Sequence, residues 1–238
     1  MAWRCSGNTN EELITNMRSA KLITSTKVFD SMKKVDRKAY VPNEKDAYLD
    51  SPQSIGFGAT ISAPHMHAYA VEALLPFLKK GSKVLDVGSG SGYTMAIFWH
   101  LIKDDDESKT SARVIGIDHI KPLVELARKN LQKDGLEKEL QKGILEVIEG
   151  DGRLGYEEKG PYSAIHVGAA ANTIPERLVE QLAKPGRMFI PVEDPDGNGQ
   201  NIWHVDKDEN GKITKQKQFG VMYVPLTDVN KQWPAGSQ

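Results

Sequence analysis

The feature that most constrains this chain is a regular alternation between residues 83 and 192. Short apolar runs ending in glycine or aspartate alternate there with amphipathic stretches of helical length. Lys83 to Val87 reads as a buried strand. It runs into Gly88-Ser89-Gly90-Ser91-Gly92 and then a helix over Tyr93 to Leu101. Arg113 to Asp118 reads as a second strand, followed by a helix with Pro122 in its first turn that runs to Lys133. Leu145 to Ile148 is a third strand, ending at Gly150-Asp151-Gly152, and Ser163 to Val167 a fourth, ending at Gly168-Ala169-Ala170. A helix starting at Pro175 and stopped by Pro185-Gly186 leads to a fifth strand over Arg187 to Val192. Strands alternating with helices predict an α/β fold with a parallel sheet covered on its faces.

The flanks read differently. Thr9 followed by Glu12 fits a capping box, and Leu13, Ile14 and Met17 then recur at helical spacing. A second short helix covers Lys27 to Lys34. Tyr40 to Ala63 reads as a loop, interrupted by Pro42, Pro52, Gly56 and Gly58. At about 24 residues it is long for a compact domain, and such loops are often functional. A helix starts at Pro64, with Ala68, Val71, Leu74 and Leu75 on one side. Beyond Pro191, Asp196-Gly197-Asn198-Gly199 is a turn cluster. Asn201 to Val205 and Ile213 to Gln218 flank Asp208-Glu209-Asn210-Gly211, a hairpin in which Asn-Gly takes positive φ at both centres. Phe219 to Val224 extends this sheet, so the parallel sheet is expected to end in antiparallel strands. The expectation is one domain over 1–238: an N-terminal helical extension over 1–80, an α/β core over 81–192 and antiparallel strands over 193–238.

Composition removes several function classes. The balance of 31 Lys+Arg against 32 Asp+Glu argues against a broad basic face for nucleic acid. The single cysteine, Cys5, cannot form an internal disulfide, so nothing marks a secreted scaffold. No apolar run approaches the roughly 20 residues of a membrane span, and the opening Met1 to Ser6 lacks a signal-peptide core. The acidic run Asp104 to Glu107 reads as a solvated loop. What remains is a cytosolic protein handling small molecules or neutral partners, with no nucleic acid and no membrane.

In open α/β sheets ligands sit beyond the carboxyl ends of the strands. Asp86 with the Gly88–Gly92 loop, Asp118, and Gly150-Asp151-Gly152 all fall there. The three alternating glycines let backbone approach a ligand closely, more than a tight strand-to-helix turn alone requires. A dinucleotide fingerprint needs glycine or alanine at 93, where Tyr93 stands, so a pyrophosphate cofactor fits less well. Asp118 can accept both hydroxyls of a ribose, or cap the helix at residue 120. Asp151 can accept an adenine amino group, or serve as a plain turn aspartate.

These residues together resemble the class I S-adenosylmethionine-dependent methyltransferases, with their Rossmann-like sheet. A more specific resemblance rests on the segment Asp50-Ser51-Pro52-Gln53-Ser54-Ile55-Gly56-Phe57-Gly58-Ala59-Thr60-Ile61-Ser62-Ala63-Pro64-His65-Met66-His67-Ala68. With Val114 to His119, Gly150 to Arg153, Ala164 to Ala170 and the ends Met1-Ala2-Trp3, Tyr223 to Thr227 and Lys231-Gln232-Trp233, the chain resembles the protein-L-isoaspartate (D-aspartate) O-methyltransferases of the eukaryotic cytosolic type. It departs from their pattern at Gly58, in the Asp104–Thr110 insertion and in the Asn198–Gly211 hairpin.

The resemblance implies methyl transfer from S-adenosylmethionine, leaving S-adenosylhomocysteine, to the free α-carboxylate of isoaspartyl and D-aspartyl residues in damaged proteins and peptides. The ester then closes to a succinimide without the enzyme, and hydrolysis restores some aspartyl linkages. The resemblance also implies the site. Ala59, Thr60, Ile61, Ser62, His67, Asp86, Gly88, Ser91, Asp118, Asp151, Gly152, Thr227 and Gln232 form the cofactor site, with 50–67 as the substrate loop and Thr227 and Gln232 closing over the cofactor.

Elementary chemistry narrows the catalyst. A carboxylate with a pKa near 4 is ionised at neutral pH and needs no general base. Catalysis then rests on positioning. A neutral hydroxyl orients the nucleophile without the ground-state grip of an arginine fork. Ser62 fits, just before the Pro64 helix, whose N-terminus favours a carboxylate; helix N-cap is its compatible structural role. His65 and His67 lack a third ligand at suitable spacing, so no metal is expected. No heptad suggests a coil, so a monomer is expected. Two other readings stand beside the enzyme: a nucleotide-cofactor oxidoreductase, and a non-catalytic reader of damaged peptides.

Overall fold

The computed structural model describes residues 5–104 and 111–234. The opening Met1-Ala2-Trp3 and all but the first residue of the 104–110 insertion, with most of its acidic run, lie outside the described residues. Seven strands form one sheet in the order β5-β4-β3-β6-β7-β8-β9. They are β3 (Lys83–Val87), β4 (Arg113–Asp118), β5 (Leu145–Glu149), β6 (Tyr162–Val167), β7 (Leu182–Glu193), β8 (Gln200–Lys207) and β9 (Ile213–Val221). The pairs from β5 to β7 are parallel, while β7–β8 and β8–β9 are antiparallel. The order steps outward from β3 in one direction to β5 and in the other through β6. The switch point therefore lies at the carboxyl ends of β3 and β6, where such sheets bind ligands.

Each sheet face packs against its own core. Val84, Val114, Ala164 and Phe189 belong to one, with α4 (Tyr93–Ile102) and the N-terminal helices. Leu85, Val87, Ile115, Ile117, Ile165, Val167 and Met188 belong to the other. Strands buried on both faces explain why the sequence shows apolar runs rather than strict alternation. Helix α4 is apolar on nearly every side and buried nearly throughout. Helix α5 (Lys121–Lys133) is amphipathic and buries Leu123, Val124, Ala127 and Leu131.

The N-terminal extension holds α1 (Asn10–Ser19), α2 (Thr26–Lys34) and α3 (Pro64–Leu74). Thr9 caps α1 by accepting from the Glu12 N–H. Glu12 does not return the bond to Thr9 as a capping box requires; its carboxylate takes the Asn8 N–H instead.

Three further expectations are corrected. The stretch Tyr40 to Ala63 is not all loop: β1 (Gln53–Gly56) and β2 (Ala59–Ile61) form an antiparallel hairpin. Gly56, Phe57 and Gly58 all have positive φ, and the non-glycine among them hid the turn. The helix at Pro175 is only α7 (Glu176–Glu180), because β7 begins at Leu182 and carries Pro185 inside it. Its register against β6 breaks between Tyr162 and Ala164, so the proline, which has no N–H, falls where the ladder is interrupted. The turn from Asp208 is not an Asn-Gly turn with positive φ at both centres. Gly211 alone takes it, and the Asp208 carboxylate accepts from the Asn210 and Lys212 N–H groups. Two short helices were not anticipated, α6 (Glu137–Gln141) and α8 (Val229–Gln232).

Candidate active site

At the carboxyl end of β3 the backbone turns away through Gly88, Gly90 and Gly92, all at positive φ. Gly90 donates its N–H to Asp118 Oδ2 at 3.2 Å, tying the glycine loop to the end of β4. Asp118 Oδ1 accepts from Ile120 N at 3.0 Å, but Ile120 is itself the N-cap of the following helix and no side chain caps that helix, so the capping role read from sequence is not made. This carboxylate is only 7% exposed, and burial pushes its pKa up against the two N–H bonds that hold it down.

Close backbone packing keeps a slot open above these strand ends. A Cβ on Gly152 would lie 2.5 Å from Val87 Cγ1, and one on Gly168 would lie 3.0 Å from the Gly88 carbonyl oxygen. The slot encloses about 50 Å³. Ala59, Thr60, Gly88, Asp118, Gly152, Thr227 and Gln232, all expected here, line it together with Gly90, His119, Gly168 and Ala169. Its roof is the segment Val224 to Thr227, held by bonds from Ala170 N to Val224 O and from Leu226 N to Ala170 O. Gln232 closes one end, accepting from His119 Nε2 at 2.8 Å and donating to Phe57 O at 3.1 Å.

The other expected residues lie around the slot rather than on it. Ile61 is buried in the apolar core. Asp86 sits beneath the glycine loop, 1% exposed, and accepts from His166 Nδ1 at 2.6 Å. Ser91 is buried, its carbonyl taking Asn130 Nδ2. Asp151 caps the short turn after β5 and is clasped by Arg153, whose guanidinium also reaches Asp228, the residue after the roof segment. That arginine lowers the Asp151 pKa. His67 points inward, its Nδ1 3.1 Å from Thr94 Oγ1, and burial keeps it well below the usual imidazole range.

Ser62 opens onto a second space, an outer groove of about 570 Å³. Pro52, Thr60, Ala63, His65, Met66, Gly168 and Gly220 to Val224 complete its walls. Thr60, Gly168 and Val224 line both spaces, so slot and groove meet beside Ser62. Ser62 is not the N-cap of α3. That position belongs to Ala63, and Asp50 supplies the missing acceptor, taking both the His65 N–H and His65 Nδ1 on its Oδ1. The helix N-terminus is thus already served by an internal carboxylate.

Sequence reasoning did not single out Tyr223, Arg37 or the Asp50–His65 pair. Tyr223 faces the Ser62 hydroxyl, which offsets part of the upward push that burial gives its phenol. Among the described residues no group of three or more His, Cys, Asp or Glu side chains is placed to hold a metal ion, and no helix is long and apolar enough to cross a membrane.

The family model described as protein-L-isoaspartate(D-aspartate) O-methyltransferase matches residues 8–231. A Caenorhabditis elegans protein-L-isoaspartate O-methyltransferase is 48% identical, the match covering 98% of this chain and 99% of that protein. Protein-L-isoaspartate O-methyltransferase 1 of Arabidopsis thaliana is 43% identical over 94% of each chain. Among solved structures, a Plasmodium falciparum chain described as a β-aspartate methyltransferase, in complex with S-adenosyl-L-homocysteine, superposes with a TM-score of 0.83 at 34% identity, over 93% of this chain and 99% of that one.

Proposed function

The chain belongs to the protein-L-isoaspartate (D-aspartate) O-methyltransferase family, and on that premise we propose how its site performs the reaction. It is an S-adenosylmethionine-dependent enzyme of the class I fold, acting in repair on isoaspartyl-containing proteins. The slot suits that cofactor. It offers a glycine-walled cradle and a carboxylate at the end of β4, positioned for ribose hydroxyls. Gly88, Asp118, Gly152, Thr227 and Gln232 would hold the nucleoside and its tail, with Ala59 and Thr60 facing them. The cofactor supplies a methyl group on a cationic sulfur, so a carboxylate nucleophile needs no base.

The observation that carries the reading is the meeting of slot and groove beside Ser62. A peptide in the outer groove presents its free α-carboxylate at that junction. The Ser62 hydroxyl donates one hydrogen bond to it, fixing its direction while leaving a lone pair exposed toward the slot. The groove walls carry no acidic, lysine or arginine side chain, which suits a substrate defined by one damaged linkage and not by flanking sequence. Asp86 acts indirectly, through the loop above it. D-Aspartyl residues are accepted by the same junction, and the enzyme works as a cytosolic monomer of one methyltransferase domain.

The test is methyl transfer to an isoaspartyl peptide and its aspartyl twin. The protein is expected to methylate only the first. Ser62→Ala is expected to cut kcat strongly while the affinity for S-adenosylhomocysteine stays within about twofold. Equal methylation of both peptides would refute the substrate, and unchanged turnover in Ser62→Ala would refute the residue.

A further inference from the structure

Directly behind Ser62 lies a buried cation that the reaction as described leaves unused. Arg37 begins a 3-10 turn after α2, and its side chain is fully buried, 0% exposed. Nη2 donates to the Ser62 carbonyl oxygen at 2.8 Å. Among the described residues Nε and Nη1 have no hydrogen-bond partner. The guanidinium also stacks over the Tyr93 ring, 5.4 Å from its centre.

Burying a charge costs several kcal/mol unless a counter-charge sits against it. No carboxylate forms an ion pair with Arg37 among the described residues. The acid whose charge it feels is Asp50, which is itself fully buried and spends one oxygen on His65. Burial lowers the Arg37 pKa only to about 10, so it remains charged at neutral pH. Its field also helps keep neighbouring His67 neutral.

We propose that Arg37 is a positioning and charge-selecting residue for the substrate: it pins the Ser62 carbonyl and supplies the positive potential that favours an α-carboxylate at Ser62 over a neutral group. This rests on the reading that the carboxylate binds at Ser62. One peptide unit separates the guanidinium from the serine hydroxyl, which places the cation about 7 Å from a carboxylate bound there. At that range, with an effective dielectric between that of protein and water, the attraction is worth about tenfold in affinity or more. It does so without the bidentate grip that would mask the nucleophile. Arg37 therefore selects charge through the Ser62 backbone, while Ser62 sets direction.

The experiment measures the affinity of the protein, saturated with S-adenosylhomocysteine, for an isoaspartyl peptide and for the same peptide with that α-carboxylate replaced by a carboxamide. The carboxylate-to-carboxamide preference is the readout. Arg37→Met is expected to reduce the preference about tenfold, and Arg37→Lys to keep most of it. Loss of affinity for both peptides alike in Arg37→Met would mean a merely structural role and overturn the proposal. Should Arg37→Met not fold, Asp50→Asn reads the same field with opposite sign. It removes the anion that Arg37 feels while its amide oxygen still accepts from His65, so the preference should rise about threefold. A preference unchanged or lowered in Asp50→Asn would overturn the proposal. If the wild-type protein itself shows no preference for the carboxylate, the binding reading fails. If it shows one that neither Arg37→Met nor Asp50→Asn alters, only the role of Arg37 fails.

Discussion

Consider Gly116→Ala, a single added methyl in the middle of β4. Gly116 pairs in register with Asp86 on β3, so its missing side chain leaves room on the same sheet face as the Asp86–His166 pair. A Cβ there would lie 2.3 Å from Met95 Sδ, 3.0 Å from Met95 Cε and 2.9 Å from Ser89 Cβ. Both neighbours must shift. Met95 is a flexible thioether on buried α4 and gives way at the usual cost of overpacking, about 1–3 kcal/mol. Ser89 is in the glycine loop, so its shift disturbs the backbone that cradles the cofactor. In a chain of this size each kcal/mol lowers Tm by about 2–4 °C, which predicts a drop of about 2–12 °C. Thermal unfolding with and without S-adenosylhomocysteine, and calorimetric titration of that ligand, read the two effects separately. Affinity should fall at least about tenfold, since a loop displaced by even a few tenths of an ångström loses hydrogen bonds worth about 1 kcal/mol each. Trimming the sulfur neighbour in Gly116→Ala/Met95→Ala should restore affinity more than stability, because it relieves the clash but opens a cavity in α4. A Gly116→Ala protein with unchanged Tm and unchanged ligand affinity would refute the claim that this close approach shapes the slot.

Three other perturbations probe other parts of the site. Asp118→Asn should weaken S-adenosylhomocysteine by about 10–100-fold, the range for losing a charged hydrogen bond or two, as titration calorimetry will show. Wild-type affinity for the ligand should fall as pH drops through the raised pKa of Asp118, since ribose hydroxyls favour the ionised form. A folded-state pKa raised by burial contributes stability only at low pH and loses it as pH rises, so unliganded Asp118→Asn should be no less stable than wild type at pH 7. His166→Phe strands the Asp86 carboxylate in the core and should cost about 3–5 kcal/mol by urea unfolding, while Asp86→Leu/His166→Phe recovers most of it. Gln232→Ala removes the bonds to His119 and Phe57 and should speed S-adenosylhomocysteine release about 5–30-fold in stopped-flow displacement, at about 1 kcal/mol per bond.

The parts legible in the sequence are those set by local pattern. Strands β3 to β6 are apolar runs closed by glycine or aspartate, α4 is the apolar run that follows the glycine loop, and α5 carries its own helical period, so their placement needed no tertiary knowledge. The slot residues Gly88, Asp118 and Gly152 follow from the same strand ends. What stayed hidden depends on long-range partners. The 53–61 hairpin turns through a positive-φ Phe57, which no propensity signals. Pro185 looked like a helix stop because the interruption in the β6–β7 ladder that tolerates it is set by another strand. Asp151 reads from sequence as an adenine acceptor or a plain turn aspartate, and the clasp of Arg153, itself oriented by the distant Asp228, has no signal there. Arg37 meets Ser62 across 25 residues, and nothing near it in sequence marks it as part of a site.

The arrangement of charge explains why so few ionic groups stand at the junction itself. An anionic nucleophile and a cationic methyl donor lose both charges at the transition state. Any ion that grips either one directly stabilises the starting state more than the transition state, and so lowers KM at the expense of kcat. The chain keeps its ions one layer back. Arg37 stands behind the Ser62 peptide unit, and Asp86 is committed to His166 under the glycine loop. Thr60, exposed and lining both slot and groove, is the position from which to break this rule. In Thr60→Lys an ammonium can reach the carboxylate bound at Ser62. The KM for an isoaspartyl peptide should then fall severalfold while kcat falls further, lowering kcat/KM by about tenfold. Raising salt should recover part of kcat by screening the new pair. A lysine at 60 that raised kcat, or that raised KM and left kcat alone, would show that direct charge at the junction is tolerated and that the layered placement of Arg37 and Asp86 serves packing rather than rate.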